Sequence, residues 1–145
     1  MTNNHARFLE LITDVPDFPK PGIIFKDISP LLASKWFPEL IQELADMVRD
    51  SVGDSGDTKI AGIESRGFIL GAAIAHEMNI GFVPVRKEGK LPPPTIKHSY
   101  DLEYGTDTIE VKEGSGSVIL IDDVLATGGT LTAAASALTK AGYTV

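Results

Sequence analysis

The sequence contains no cysteine, no long apolar run and fewer basic than acidic residues. Without cysteine the chain has neither a disulfide framework nor a thiolate metal site, which is consistent with a reducing compartment. No stretch approaches the roughly 20 apolar residues of a membrane-spanning helix. Residues 1–7 lack the apolar core of a secretory signal. We therefore expect a cytoplasmic protein that does not associate with membranes.

The shortage of basic residues also restricts the partners of the protein. Thirteen lysines and arginines against 20 aspartates and glutamates give a net charge of −7. Proteins that bind nucleic acids carry basic surfaces, so we expect no nucleic-acid partner. An anionic small ligand would have to be bound by a few local cations. The 145 residues, 43% of them hydrophobic, are consistent with one domain over residues 1–145.

Buried strands alternate with helices along most of the chain. Residues 59–63, 81–85 and 118–121 have the composition of buried strands, and residues 67–78 and 131–141 have helical patterns. This alternation predicts an α/β fold with a Rossmann-like parallel sheet flanked by helices. Ligands bind such sheets at the carboxyl ends of the strands.

Two adjacent carboxylates and a glycine-rich turn follow the strand at 118–121. The carboxylates are Asp122 and Asp123, and the turn contains Ala126, Thr127, Gly128, Gly129 and Thr130. Such a turn, followed by a helix, directs backbone N–H groups and the positive end of the helix dipole at a phosphate. Carboxylates beside a phosphate site indicate hydroxyl groups or a cation, so the pattern predicts a sugar-phosphate site. The alternative is a tight turn after a solvated strand end. The Walker and dinucleotide-binding patterns are both absent.

Charged residues also follow the other two predicted strands. Glu64, Ser65 and Arg66 come after the strand at 59–63, and the segment 86–90 contains Arg86, Lys87 and Lys90. A solvated loop is the alternative for each cluster. Because the carboxyl ends of neighbouring parallel strands meet at one edge, we expect the three strand ends to converge on one highly charged ligand.

The segment from about 86 to 111 differs in composition from the rest of the chain. Three consecutive prolines at 92–94 exclude a helix, and the remainder has the pattern of a hairpin-like, mobile lid. Glu103 lies in this segment. A carboxylate on a closing loop can transfer protons once water is excluded, whereas the alternative is an ordinary surface strand residue.

Residues 118–130 closely resemble the phosphoribosyl-diphosphate (PRPP) motif of the type I phosphoribosyltransferases. Segments 23–30, 62–68, 83–87 and 102–105 resemble the branch of that family that acts on adenine. The resemblance implies the conversion of adenine and PRPP into AMP and diphosphate, as in purine salvage, by a homodimer. Mg²⁺ is the implied cofactor, bound through PRPP near Asp122 and not by a dedicated set of protein ligands.

The resemblance also implies a role for individual residues. Asp122 and Asp123 would bind the ribose hydroxyls, and the turn 126–130 the 5′-phosphate. The implied diphosphate-binding residues are Glu64, Ser65, Arg66, Lys87 and Lys90, with a cis peptide bond between Glu64 and Ser65. The implied adenine-binding residues are Ile24, Phe25 and Lys26, and Glu103 is the implied catalytic acid-base residue.

The chain departs from the family pattern at three places. Lys26 replaces the usual arginine, the connection 110–117 is short, and the chain stops at Val145, where a further strand is expected to begin. We expect either a truncated chain or a smaller core. Two alternative functions stay open: a protein that binds PRPP or a nucleotide without turnover, and a phosphoribosyltransferase for another purine.

Overall fold

The computed structural model describes residues 4–53, 56–102 and 105–145. The chain divides into two compact units, Met1–Glu43 and Leu44–Val145, and helix α3 (Phe37–Val52) crosses the division in the sequence. None of the described helices combines the length and the apolar composition needed to cross a bilayer.

The first unit contains a small antiparallel pair of strands. Its elements before α3 are α1 (Asn4–Glu10), β1 (Thr13–Pro16), β2 (Ile24–Asp27) and α2 (Ser29–Leu32). Val15 of β1 lies opposite Phe25 of β2. Sequence patterns missed these strands because each has only four residues and none of them is fully buried, which leaves an apolar signal too short to stand out.

The second unit contains a five-stranded sheet. Its elements are β3 (Thr58–Ile63), α4 (Arg66–Met78), β4 (Phe82–Lys87), β5 (Ile96–Leu102), β6 (Gly105–Val111), β7 (Ser117–Ile121) and α5 (Gly129–Lys140). The strand order is β5-β6-β4-β3-β7. Strands β4, β3 and β7 are parallel, as predicted, whereas β6 is antiparallel to both β4 and β5. The predicted hairpin is therefore present, and it extends the sheet.

Helices α4 and α5 cover opposite faces of this sheet. Ala61 and Ile63 of β3 belong to the hydrophobic cluster that includes Ala137 and Leu138 of α5. The intervening residues face α4, because a Cβ on Gly71 would lie 3.4 Å from Cγ2 of Ile60. Successive side chains of a strand point to opposite faces, so β3 is buried on both sides. The α/β prediction is confirmed.

The last residues of the chain pair beside β7. Thr144 forms a parallel bridge with Ser117, and the N–H of Val118 donates to the carbonyl of Thr144 at 2.8 Å. The side chain of Tyr143 is buried in the same cluster as α5. Backbone pairing thus resumes directly after α5, on the edge of β7 that β3 does not occupy.

Candidate functional site

Strands β3, β4 and β7 end at the same edge of the sheet. Ile63 lies opposite Val85, and Gly62 lies opposite Ile121, so the residues that follow the three strands emerge side by side. They line a cleft of about 360 Å³. Its walls consist of Ile63, Glu64, Ser65, Arg66, Val85, Arg86, Lys87, Tyr100, Leu102, Asp107, Ile109, Asp122, Asp123, Val124 and Thr130. The three predicted clusters therefore converge in space.

Asp122 and Asp123 differ in their environment. Asp123 is almost fully buried, and its Oδ2 lies 2.7 Å from Nε of Arg66, an ion pair without the alignment of a hydrogen bond. Its N–H donates to Oδ1 of Asp122 at 3.0 Å. Burial is the main cause that raises the pKa of Asp122 to about 6, and the neighbouring Asp123 carboxylate raises it as well. The hydrogen bond from the N–H of Asp123 and the charge of Arg66 lower the pKa but do not cancel this rise. The ionised form of Asp122 is therefore destabilised in the folded protein, and a hydroxyl donor or a cation would stabilise it.

The turn after these carboxylates forms a second, smaller pocket. It has a volume of about 70 Å³ and is lined by Asp122 and residues 124–131. Gly128 occupies the N-cap position of α5 with a φ of +82°. The N–H groups of the first helical turn have no acceptor within the helix, and they carry the positive end of the dipole. A pocket of this composition favours a phosphate group.

Gly128→Ala is expected to destabilise the protein by about 1–2 kcal/mol, because a side chain at positive φ is strained. Gly129→Ala is the matched control. The Cβ at position 129 would make an ordinary contact of 3.6 Å with Oγ1 of Thr127, in a helical conformation. Thermal unfolding of both variants measures the difference. Equal melting temperatures would contradict the strained geometry of this turn.

Cations from the ends of β3 and β4 also line the cleft. The Glu64–Ser65 peptide bond is cis, as the family resemblance implies. The Glu64 carboxylate accepts the N–H of Lys87 and lies 3.5 Å from Nη2 of Arg86. Nζ of Lys87 is 3.8 Å from Oδ2 of Asp107. Arg66 and Lys87 thus lie in one cleft, where they can bind an anion together.

Lys90 has a different position from the other predicted cations. It is exposed, it is not part of the described cleft wall, and its carbonyl accepts a hydrogen bond from Nη1 of Arg86 at 3.4 Å. Its predicted contact with diphosphate stays a prediction. Glu103, the predicted catalytic residue, lies outside the described residues.

Helix α4 begins very close to the carboxylates. A Cβ on Gly67 would lie 3.0 Å from the carbonyl oxygen of Ile121 and 3.2 Å from Oδ1 of Asp122. Glycine therefore allows the Ser65–Arg66 turn to approach the end of β7. This close approach is what brings Arg66 to Asp123.

The predicted adenine-binding residues lie on β2 in the first unit. Ile24 is 60% exposed, and Phe25 is half-buried with its ring edge-to-face on Phe18 at 5.1 Å between centroids. Nζ of Lys26 donates to Oδ1 of Asp14 at 2.6 Å. The aromatic ring of Phe25 is a suitable surface on which a planar base can stack.

Carboxylate oxygens, such as those of Asp122 and Asp123, are the ligands that Mg²⁺ prefers. Within residues 4–53, 56–102 and 105–145, no three acidic, histidine or cysteine side chains form a group able to hold a metal ion. The carboxylates therefore fit an ion that takes its other ligands from water and from the phosphates of a substrate, as Mg²⁺ commonly does.

Comparison with known proteins identifies the family. The phosphoribosyl transferase domain model matches residues 29–145. An adenine phosphoribosyltransferase of Bdellovibrio bacteriovorus is 55% identical over 135 residues, which cover 93% of this chain and 80% of the relative. The chain belongs to the adenine phosphoribosyltransferase family. The crystal structure of the adenine phosphoribosyltransferase from Rhodothermus marinus matches with a TM-score of 0.83 at 48% identity, covering 97% of this chain and 80% of that one.

A second member of the family supplies a ligand complex. The adenine phosphoribosyltransferase of Saccharomyces cerevisiae, crystallised with adenine and an imino-altritol bisphosphate, matches with a TM-score of 0.91 at 31% identity. The match covers 100% of this chain and 85% of the yeast chain. The resemblance inferred from the sequence motifs is therefore confirmed.

Two polar residues of the cleft wall were missed by sequence reasoning. Tyr100 and Asp107 come from the hairpin, and the Tyr100 hydroxyl donates to Oδ2 of Asp107 at 3.4 Å. Burial raises the pKa of Tyr100, while a hydrogen bond with Thr130 of the phosphate turn opposes this shift. In β5, Ile96, His98 and Tyr100 are more buried than the residues between them. The matching alternation of larger rings and aliphatic groups with polar residues in the sequence is the signal that could have revealed Tyr100.

Proposed function

We propose that the chain transfers the 5-phosphoribosyl group from PRPP to adenine and releases AMP and diphosphate, as a step of purine salvage. The observation that carries this proposal is the convergence of an acid pair and two cations in one cleft, which shares Asp122 and Thr130 with the phosphate pocket, in a member of this family. The arrangement matches the three chemical parts of PRPP, which are the ribose, the 5′-phosphate and the diphosphate.

The cleft supports one orientation of PRPP. The 5′-phosphate occupies the turn 126–130, where helix N–H groups are available. The ribose hydroxyls then donate to Asp122 and Asp123. The diphosphate lies toward Arg66 and Lys87, which line the cleft together with Glu64 and Ser65. Mg²⁺ bound with the substrate would further neutralise the diphosphate and make it a better leaving group.

These residues can support the transfer step. The bond between C1′ and the diphosphate oxygen breaks, the oxygen keeps the electron pair, and an adenine nitrogen bonds to C1′. Cations fixed at the leaving group stabilise its negative charge, and the carboxylates stabilise positive charge on the ribose. Adenine loses one proton, and Glu103 is the proposed acceptor. General base catalysis of this kind contributes typically 10²–10⁴-fold to the rate.

The proposed adenine site is the surface formed by Ile24, Phe25 and Lys26. Phe25 offers a ring for stacking, and the β2 backbone offers groups that can bind the edge of the base. The adenine in the yeast complex supports the choice of base. Homodimer formation and a cytoplasmic location stay predictions.

The test is AMP formation from adenine and PRPP with Mg²⁺, measured with the purified chain and compared with hypoxanthine, guanine and xanthine as acceptors. We expect AMP formation with a strong preference for adenine. PRPP binding in calorimetry without turnover of any base would contradict the enzymatic proposal and support a binding protein. Faster turnover of another base would contradict the assignment of adenine.

A further inference from the structure

Strand β6 carries a buried carboxylate to which the proposed function gives no role. Glu110 is only 2% exposed, and Thr58 is the other polar residue among the described ones that is buried as a whole, backbone included. Burying a carboxylate is costly unless hydrogen bonds compensate for the lost water. Glu110 therefore requires specific partners.

Those partners lie on both sides of the three consecutive prolines. Oε1 of Glu110 accepts the N–H of Leu91 at 2.8 Å, and Oε2 accepts the hydroxyl of Thr95 at 3.2 Å. The prolines between them have no N–H to donate. One carboxylate thus holds both ends of the segment 91–95.

Lys112, two residues further along the chain, binds the same segment through its carbonyl groups. Its Nζ donates to the carbonyl oxygen of Pro94 at 2.9 Å and also to that of Pro92. Glu110 and Lys112 therefore bind the donors and the acceptors of the proline segment, respectively. Burial raises the pKa of Glu110. Hydrogen bonds from the N–H groups of Leu91 and Gly89 more than offset this rise, so the net pKa lies below its ordinary value. Glu110 is accordingly an ionised acceptor.

The proline segment belongs to the connection that follows Lys87, the last residue of β4, and that carries Lys90. The N–H of Glu88 donates to the carbonyl of Thr108 on β6 at 3.0 Å, so β6 holds this connection at its start as well. Arg86 lies opposite Glu110 in the strand register, and its Nη1 binds the Lys90 carbonyl. The whole connection 88–95 is thus attached to β6, and Glu110 forms the central attachment.

We propose that Glu110 is a positioning residue: it holds the connection 88–95, and through it the adjoining Lys87 at the end of β4 and Lys90, in the arrangement that binds the diphosphate. This inference rests on the proposed function, because it assigns the diphosphate to the Lys87 side of the cleft. Glu110 is not one of the residues that line the cleft, and its side chain acts through Leu91 and Thr95. Its loss should affect ligands that contain diphosphate and spare ligands that do not.

The experiment measures calorimetric affinities of Glu110→Leu, Glu110→Gln and wild-type protein for three probes: PRPP with Mg²⁺, diphosphate with Mg²⁺, and AMP. Glu110→Leu removes both acceptors, whereas Glu110→Gln retains one carbonyl oxygen for Leu91. Glu113→Gln is the matched control, since Glu113 is an exposed carboxylate nearby and its substitution changes the net charge equally.

We expect Glu110→Leu to bind PRPP and diphosphate about tenfold more weakly while its affinity for AMP changes less than about twofold. Glu110→Gln should recover most of the loss, and Glu113→Gln should match the wild type. Equal losses for all three probes, or no loss for diphosphate, would overturn the inference. If Glu110→Leu does not fold, Thr95→Val, which removes the hydroxyl that donates to Glu110, is measured with the same three probes. A selective loss of affinity for PRPP and diphosphate in that variant would support the inference, and an equal or absent loss would overturn it.

The same measurements separate this inference from the proposed function. Wild-type protein that binds diphosphate but forms no AMP would contradict the proposed reaction, and the comparison of diphosphate affinities would still test Glu110. Wild-type protein that binds none of the three probes would contradict both.

Discussion

Asp122→Asn is expected to lower the rate of AMP formation about 10²-fold and to raise the melting temperature of the ligand-free protein at neutral pH. The rate falls because an amide is a weaker acceptor for the ribose hydroxyls, and hydrogen bonds to charged groups contribute about 1.5–3 kcal/mol each. Asparagine keeps an oxygen that can accept the N–H of Asp123, so the local backbone should be preserved.

The gain in stability follows from the pKa of Asp122. Its value rises from 3.8 to about 6 on folding, mainly through burial. The unfolded chain therefore releases this proton at lower pH than the folded chain does. The free energy of unfolding falls as the pH rises from about 4 through 6, and the penalty is fully present above that range. Asparagine carries no charge, so the Asp122→Asn variant avoids this penalty.

Scanning calorimetry between pH 4 and pH 8 tests this prediction. The melting temperature of Asp122→Asn should exceed that of the wild type at pH 7–8, and the difference should disappear as the pH falls through 6 toward 4. Asp50→Asn, at an exposed position on α3, is the control for net charge and should show no such pH dependence. A difference that grows at low pH would show that the sign of the pKa shift is wrong.

Gly62→Ala is expected to destabilise the protein by about 3 kcal/mol, at the upper end of the usual cost of overpacking a core. A Cβ at position 62 would lie 2.6 Å from the carbonyl oxygen of Gly67 and 2.8 Å from Cε2 of Phe82. The first atom belongs to the backbone of the turn that carries Arg66. The second belongs to a ring that packs edge-to-face on Phe68. A shift of the Gly67 carbonyl would also displace Arg66, which lines the cleft.

Thermal unfolding should show a fall of roughly 10 °C in the melting temperature of Gly62→Ala. Gly56→Ala is the matched control, because no described atom lies within 4 Å of its added Cβ. It should melt close to the wild-type temperature. A Gly62→Ala protein that melts with the control would contradict the close packing of α4 on β3.

The elements that sequence patterns predicted well are those with a strong local signal. Strands β3, β4 and β7 were predicted within two residues at each end, because continuous apolar runs of this length are typical of strands buried on both faces. The pair β1 and β2 was missed, since four residues with none fully buried give too short a signal. The antiparallel pairing of β6 with β4 could not be predicted either, because it joins residues that are distant in the sequence.

The candidate site likewise contains residues that the sequence predicted and residues that only the fold brings into place. Asp122, Asp123 and the turn 126–130 form one continuous motif, and Arg66 and Lys87 follow predicted strands. Tyr100 and Asp107 reach the cleft only because β6 pairs with β4. Glu110 occupies an ordinary strand position in the sequence, and its contacts with Leu91 and Thr95 exist only in the folded chain.

The sequence by itself determined the α/β class, the phosphate turn and the family, because short-range patterns of apolar residues, glycines and charges specify local conformation and local chemistry. The tertiary structure decided which side chains meet. It brought Arg66 to Asp123, raised the pKa of Asp122 through burial, and attached the proline segment to β6. These properties depend on strand order and on exclusion of water, and both arise only when distant segments pack together.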